Sequence, residues 1–270
     1  AYYERFHENL VVPTTYEQYL HAAEFFTRSC NPDSPTEYGT TMTCGSASVA
    51  ASDFLPFYLS RIDRFGSTPE TLRLDCPEMQ AAMRQYHALE KFSCKQNWWG
   101  DSIQKFAEGK TAMTVIYSNY AAELINSGNS VVVGRVGAAI LPGCKPLLGG
   151  GIVGISRYSP KAEACKQFFH WYYSADVASL LVRLGGTSPI VDAYEDFQNY
   201  SIFPWMNTSK KSFGLGQRGV INQTPERFSI PKYEFAVGTA VRNVVQDLMT
   251  PEDASRMAQA LYDAADPVCR

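Results

Sequence analysis

The stretch DSIQKFAEGKTAMTVIYSNYAAEL, residues 101–124, with VGRVGAAILPGCKPLLGGGIVGIS, residues 133–156, decides how the chain folds. Asp101 and Gln104, three residues apart, have the form of a capping box, and Gly109 is a natural stop one residue past a short helix. Thr111–Tyr117 alternates and is rich in β-formers, which predicts a strand. That strand delivers Tyr117, Ser118, Asn119 and Tyr120 to its carboxyl end, where a helix begins. Ligands of open α/β sheets collect there, because backbone N–H groups and side chains converge outside the strand ends. A second strand, a Pro/Gly-rich passage and a third strand complete the stretch.

Outward from this stretch, composition narrows the class. The 270 residues allow one large domain or two smaller ones with a substantial core. Hydrophobic residues at 45% and charged residues at 19% describe a globular chain. A net charge of −3, with no Lys/Arg run longer than two, argues against a nucleic-acid face. No apolar stretch approaches the roughly 20 residues that span a bilayer. The start, AYYERF, carries no signal peptide and reads as a mature or trimmed product. Seven cysteines without CxxC or metal-like spacing read as half-buried free thiols, which points to a reducing compartment.

Tyr2–Val12 reads as an extended or hinge-like start. Thr14 with Glu17 has a capping signature, with Tyr16, Leu20 and Ala23 on one face of a helix to about Arg28. Asn31–Ser52 is loop-like, and Phe54–Phe65 a short aromatic helix. Asp75 and Pro77 open a helix to about Phe92, in which Met79 and Met83 fill the core. Ser159 and Pro160 open another to about Tyr173, with Phe168, Trp171 and Tyr172 as its packing face; Ser174 starts the next, which Gly185 ends. Tyr233–Met249 and the segment from Thr250–Pro251 to about Ala264 complete the helices.

Asn97, Trp98 and Trp99 form the sharpest candidate binding group. Neighbouring tryptophans point to different faces, so one packs and the other is free to be a flat platform beside an amide. Simple packing of both is the competing reading. The GxGxxG pattern at Gly149, Gly151 and Gly154 leads into an apolar run and not into a helix, so it carries no dinucleotide site. Gly109–Lys110–Thr111 lacks the upstream glycine of a P-loop, that position being Gln104. The four histidines stand apart from metal-ligand spacing, and no G-x-S-x-G elbow occurs. Asp101 and Glu108 read as a cap and a solvated helix face. The residues therefore name no catalytic group, no metal site and no cofactor.

Phe106, Gly109–Lys110, Ala112–Met113 and the strand ending at Tyr117 are followed by Gly137–Pro142, Gly149–Ser156 and Ser159–Phe168. In that order the motifs resemble the maltose-binding-like extracellular solute-binding proteins of ABC importers. Gly185–Pro189, Pro13–Phe26 and Ile230–Asp247 are weaker matches. The resemblance implies an α/β chain of type II periplasmic-binding-protein architecture, mainly the second, C-terminal lobe, with most of the first lobe absent. Residues 1–147 and 197–270 then build that lobe, and 148–196 cross toward the first. It further implies a non-enzymatic binder of a small polar solute, a sugar or oligosaccharide, with importer membrane subunits as partners and an extracytoplasmic address. The cysteines favour a cytoplasmic one.

Stacking is expected from Trp98 or Trp99 and from Trp205. Polar contacts are expected from Asn97, Tyr117, Ser118, Asn119 and Tyr120, with Gly149, Gly150 and Thr187 as weaker candidates. Where maltose-binding relatives carry an aromatic pair after Ile-Pro, this chain has Val237 and Gly238, which puts a maltose-type ligand in doubt. The expected chain is a monomer without nucleic-acid contact. A cytoplasmic ligand-sensing domain of a transcription regulator and a carbohydrate-active enzyme on an α/β scaffold are the alternatives.

Overall fold

The computed structural model describes residues 1–62, 72–125, 128–150, 153–195, 203, 205–216 and 229–264. It is α/β, with helices packed around a small parallel sheet. The helices are α1 Tyr2–Phe6, α2 Tyr16–Phe25, α3 Ala47–Leu59, α4 Pro77–Ala88, α5 Trp99–Ala107, α6 Ala162–Tyr172, α7 Ala175–Arg183, α8 Met206–Leu215, α9 Ile230–Val245 and α10 Pro251–Asp263. The strands β1 Thr40–Thr43 and β2 Ser93–Gln96 pair in parallel, from Thr40 opposite Ser93 to Thr43 opposite Gln96.

Both strands come from segments without an apolar pattern. β1, TTMT, is buried along its whole length. It is buried because its hydroxyls are paired: Thr41 Oγ1 with Thr114 Oγ1 at 2.7 Å, Thr43 Oγ1 with Ser102 Oγ at 2.8 Å, and Thr40 with the Tyr19 hydroxyl. A buried polar group that keeps its hydrogen bond avoids the desolvation cost that would otherwise exclude it. Such a strand is invisible to hydrophobic periodicity, which is why residues 31–52 read as loop.

The strand expected over Thr111–Tyr117 is present only at its start. Ala112 donates to the Tyr38 carbonyl at 3.1 Å and Met113 to the Gly39 carbonyl at 3.0 Å, extending the parallel order beside β1. From Thr114 on, the contact with β1 passes to the side-chain bond with Thr41. The expected strands in 133–141 and 149–156 lack a ladder partner among the described residues, and Gly151 and Ile152 lie outside them.

Several helix boundaries move for local reasons. Thr15, not Thr14, caps α2: Gln18 N–H donates to Thr15 Oγ1 at 3.2 Å and the Gln18 side chain accepts from Thr14 and Thr15 N–H. α5 begins two residues before Asp101, which sits in its first turn with Trp98 as the cap residue. Gly109, at φ +70, does end it. Ser46 Oγ accepts from Val49 N–H, so α3 starts well before Phe54; the expected end at Phe65 lies outside the described residues. Residues 2–6 form a short helix where an extended start was expected, its Tyr2 ring packed on Phe25 and Phe6 stacked on His21.

The main core gathers α2, α3, α4, α9 and α10, with Phe54, Met79, Met83, Tyr86, Val237 and Val241 almost wholly enclosed. α3 and α9 approach so closely that a Cβ on Gly238 would stand 1.7 Å from the Ala47 carbonyl oxygen. Gly39 meets the Ala23 carbonyl in the same way. A smaller core joins Ala178, Val182, Ala193, Tyr194, Phe203 and Met206.

The packing face expected on α6 is not packed: none of its residues is buried, and Phe168 and Trp171 are 51% and 58% exposed. Phe168 touches both Trp171 and Tyr172 along the helix, and Phe168 and Trp171 form an apolar stripe without a cover among the described residues.

Gly238→Ala should lower stability by about 3 kcal/mol or more, because backbone, not a flexible side chain, blocks the methyl. Gly137→Ala, with open space around it, should change it by less than about 0.5 kcal/mol. Urea unfolding of the two variants measures the contrast.

Candidate functional site

The carboxyl ends of three parallel extended segments point to one region. β1 runs into the cap of α3 at Ser46, β2 into the cap of α5 at Trp98, and residues 111–117 into a 3₁₀ turn at Ser118–Ile125. Each helix start leaves backbone N–H groups without intrahelical acceptors, so the region is rich in donors. The Gly45–Asn97 approach locks the first two together: a Cβ on Gly45 would lie 2.4 Å from the Asn97 carbonyl oxygen.

Beside these ends lies a cleft of about 1180 Å³. Nine of the expected site residues line it: Trp99, Tyr117, Ser118, Asn119, Tyr120, Gly149, Gly150, Thr187 and Trp205. Asn97 and Trp98 are exposed and stand outside its lining. Trp98 is 48% exposed and leans on Trp99, ring centroids 4.5 Å apart. Trp99 in turn meets Tyr117 edge-on at 5.1 Å. Gly149 is necessarily small here, since a Cβ would reach within 2.7 Å of the Tyr117 ring. Trp205 rests against Phe203 at 5.2 Å, at the start of α8. The aromatic pair of adjacent tryptophans thus divides, one ring on the cleft and one on the surface.

The lining also includes residues that the sequence did not assign to a site: Tyr19, Ser52, Asp53, Pro56, Tyr173, Phe213, Tyr233 and Glu234, with Tyr172, which was expected on a packing face. Pro56 inside α3 is the signal that could have drawn attention to this wall. A proline has no N–H, so the Ser52 carbonyl four residues earlier loses its intrahelical donor. Val237 and Gly238, in contrast, are spent on packing: Val237 is wholly buried and Gly238 lies on the Ala47 backbone. Neither lines the cleft.

Asp53 is the electrostatic centre of this wall. Its Oδ2 accepts from the Tyr86 hydroxyl at 2.7 Å and from Thr43 N–H at 3.1 Å. Burial outweighs both bonds and raises its pKa to about 6. Tyr16, Tyr19 and Tyr86 and the Cys44 thiol surround it, each held neutral by its own burial and by the Asp53 charge.

Among the described residues no group of three or more His, Cys, Asp and Glu gathers to hold a metal. The thiols of Cys30, Cys44, Cys76, Cys94, Cys144 and Cys165 are free. No described helix is long and apolar enough to cross a membrane.

Residues 3–205 match the model of the family described as bacterial extracellular solute-binding protein. The chain belongs to that family. Solved structures share its fold at low identity. An ABC transporter solute-binding protein from Agrobacterium radiobacter K84, in complex with ribitol, is 22% identical with a TM-score of 0.74, the match covering 96% of this chain and 66% of that one. Maltose-bound MalE3 of T. maritima is 21% identical with a TM-score of 0.72, covering 96% and 67%. A counterpart from Agrobacterium vitis S4 with bound D-mannitol is 18% identical with a TM-score of 0.73, covering 97% and 68%. The chain thus spans about two thirds of the length of these proteins, and its fold is the type II periplasmic-binding-protein architecture expected from the motifs.

The raised pKa of Asp53 has a measurable sign. The fold favours the protonated form, so the group's stabilising contribution is full below about pH 4 and is lost as pH rises through about 6. Between pH 4 and 7.5 the wild type should lose up to about 3 kcal/mol that Asp53→Asn does not lose, from roughly two pKa units at 1.36 kcal/mol each. Paired urea titrations at the two pH values measure the difference.

Proposed function

We propose that this chain is the solute-contacting part of an extracytoplasmic binder that serves an ABC-type importer and captures a sugar or polyol without transforming it. The observation that carries the reading is the cleft at the carboxyl ends, where Trp99, Tyr117 and Trp205 stand among Ser118, Asn119 and Thr187. Flat rings cover the apolar faces of a polyhydroxyl solute while hydroxyl, amide and backbone groups meet its hydroxyls. The neighbours' ribitol, maltose and D-mannitol support that solute class. At about 1180 Å³ the cleft exceeds the roughly 300–1,000 Å³ of ordinary small-ligand pockets. It therefore has room for more than one sugar ring.

In this reading residues 1–147 and 197–270 form one lobe and 148–196 pass into a second. The bare stripe of α6 supports that division, while the small core around Val182 and Tyr194 also takes in Phe203 and Met206 from beyond residue 196. Importer membrane subunits are the partners the family implies.

A thermal-shift screen of the chain against ribitol, D-mannitol, maltose and longer oligosaccharides tests the function. A solute at about a hundred times its Kd adds about 2.7 kcal/mol. Trp99→Ala and Asn119→Ala should each abolish most of the shift. A flat response to every sugar and polyol would count against the reading.

The division into lobes predicts an exposed apolar face. Replacing Phe168, Trp171 and Leu184 together by serine should lower binding of an apolar dye and leave the urea midpoint within about 0.5 kcal/mol. A loss of the size expected for core truncation, about 3 kcal/mol or more, would show that these side chains are already covered.

A further inference from the structure

The described residues that line the cleft carry charge of one sign. Asp53 and Glu234 are its charged lining residues, and no lysine or arginine lines it among the described residues. Asp53 Oδ2 is engaged by Tyr86 and Thr43, while Oδ1 has no hydrogen-bond partner among the described residues. The groups around the carboxylate from α2, α4 and the end of β1 (Tyr16, Tyr19, Tyr86 and Cys44) are neutral near pH 7; Arg61 acts on Tyr16, and Lys95 and Arg242 on Cys44, but none of these cations lines the cleft or sets the Asp53 pKa.

One residue away, Pro56 leaves the Ser52 carbonyl without its intrahelical donor, and Ser52, Asp53 and Pro56 share the same wall. This wall offers acceptors and seeks donors. An ammonium group has three N–H donors and no acceptor. The rings of Trp99, Tyr117 and Trp205 attract a cation through their faces as well. The opposing field comes from the N–H groups at the start of the Ser118–Ile125 turn, about half a charge at most. A carboxylate on the solute would be desolvated in this cleft beside the Asp53 carboxylate and opposite no lysine or arginine among the described lining residues.

We infer that the cleft selects polyhydroxyl solutes bearing a protonated amine, with Asp53 as the counter-ion, and rejects acidic ones. This rests on the solute-binding reading above and adds its charge specificity.

Two matched triads test it by calorimetry at pH 7.5 on the whole chain: D-glucose, D-glucosamine and D-glucuronate, and D-glucitol, D-glucamine and D-gluconate. The amine should bind at least about tenfold tighter than the neutral member of at least one triad, and the acid at least about tenfold weaker. Asp53→Asn, which keeps the shape and removes the charge, should bring the amine-to-neutral affinity ratio to about one. Glu234→Gln provides a second variant, with a smaller fall in the same ratio, should the first fail to fold by circular dichroism. Equal affinities, or an amine preference that survives Asp53→Asn, overturn the inference while leaving the solute-binding reading intact. Binding of none of the six compounds overturns the inference, while the solute-binding reading is decided separately by the sugar and polyol screen above.

Discussion

The close approach of α3 and α9 holds the rest of the structure in place. Two helix axes can come this near only where one presents no side chain, and Gly238 against the Ala47 backbone meets that condition. Around the contact Phe54, Val237 and Val241 exclude water, and α4 and α10 close the sides. Because α3 is buried on nearly every face, its position is set by several neighbours at once. The cap at Ser46 and the end of β1 are therefore fixed relative to the main core. The wall formed by Ser52, Asp53 and Pro56 inherits that rigidity, which is what a preorganised binding surface requires.

The parallel pairing places function on top of this framework. Strands that run the same way deliver their carboxyl ends to one side, and each is followed by a helical start with unpaired N–H groups. Two parallel strands and a third extended segment make a very small sheet, yet this is enough to bring Trp99 and Tyr117 together from positions 18 residues apart. Gly149 completes the arrangement, because any side chain there would displace the Tyr117 ring.

The cleft lining joins aliphatic side chains such as Leu55, Val115 and Leu141 to aromatic rings, hydroxyls, the Asn119 amide and two carboxylates, and no metal cluster gathers among the described residues. Membership in a family of solute-binding proteins agrees with such a surface. The chain spans about two thirds of its solved relatives, and its α6 stripe faces outward. An apolar stripe at helical spacing is ordinarily hidden, since leaving rings in water forfeits the stabilisation their burial supplies.

How much was legible in the residues depended on whether the cause was local. Helix stops at Gly109 and Gly185, the Thr250 cap and the motif order from Phe106 to Pro189 are local chemistry, and with them came the fold class and nine of the residues that line the cleft. β1 escaped notice because four mostly polar residues become a buried strand only when Tyr19, Ser102 and Thr114 supply partners from elsewhere. The expected strands beyond Thr114 failed for the complementary reason: alternation makes a segment extended, but a ladder needs a neighbour. The split of Trp98 from Trp99, the exposure of α6 and the burial of Asp53 were likewise decided by distant elements. The sequence by itself determined the caps, stops and motif order, because these act within a few residues. Tertiary structure alone decided which hydroxyls were satisfied, which rings met the cleft and which carboxylate lost its water, because burial belongs to the packed whole.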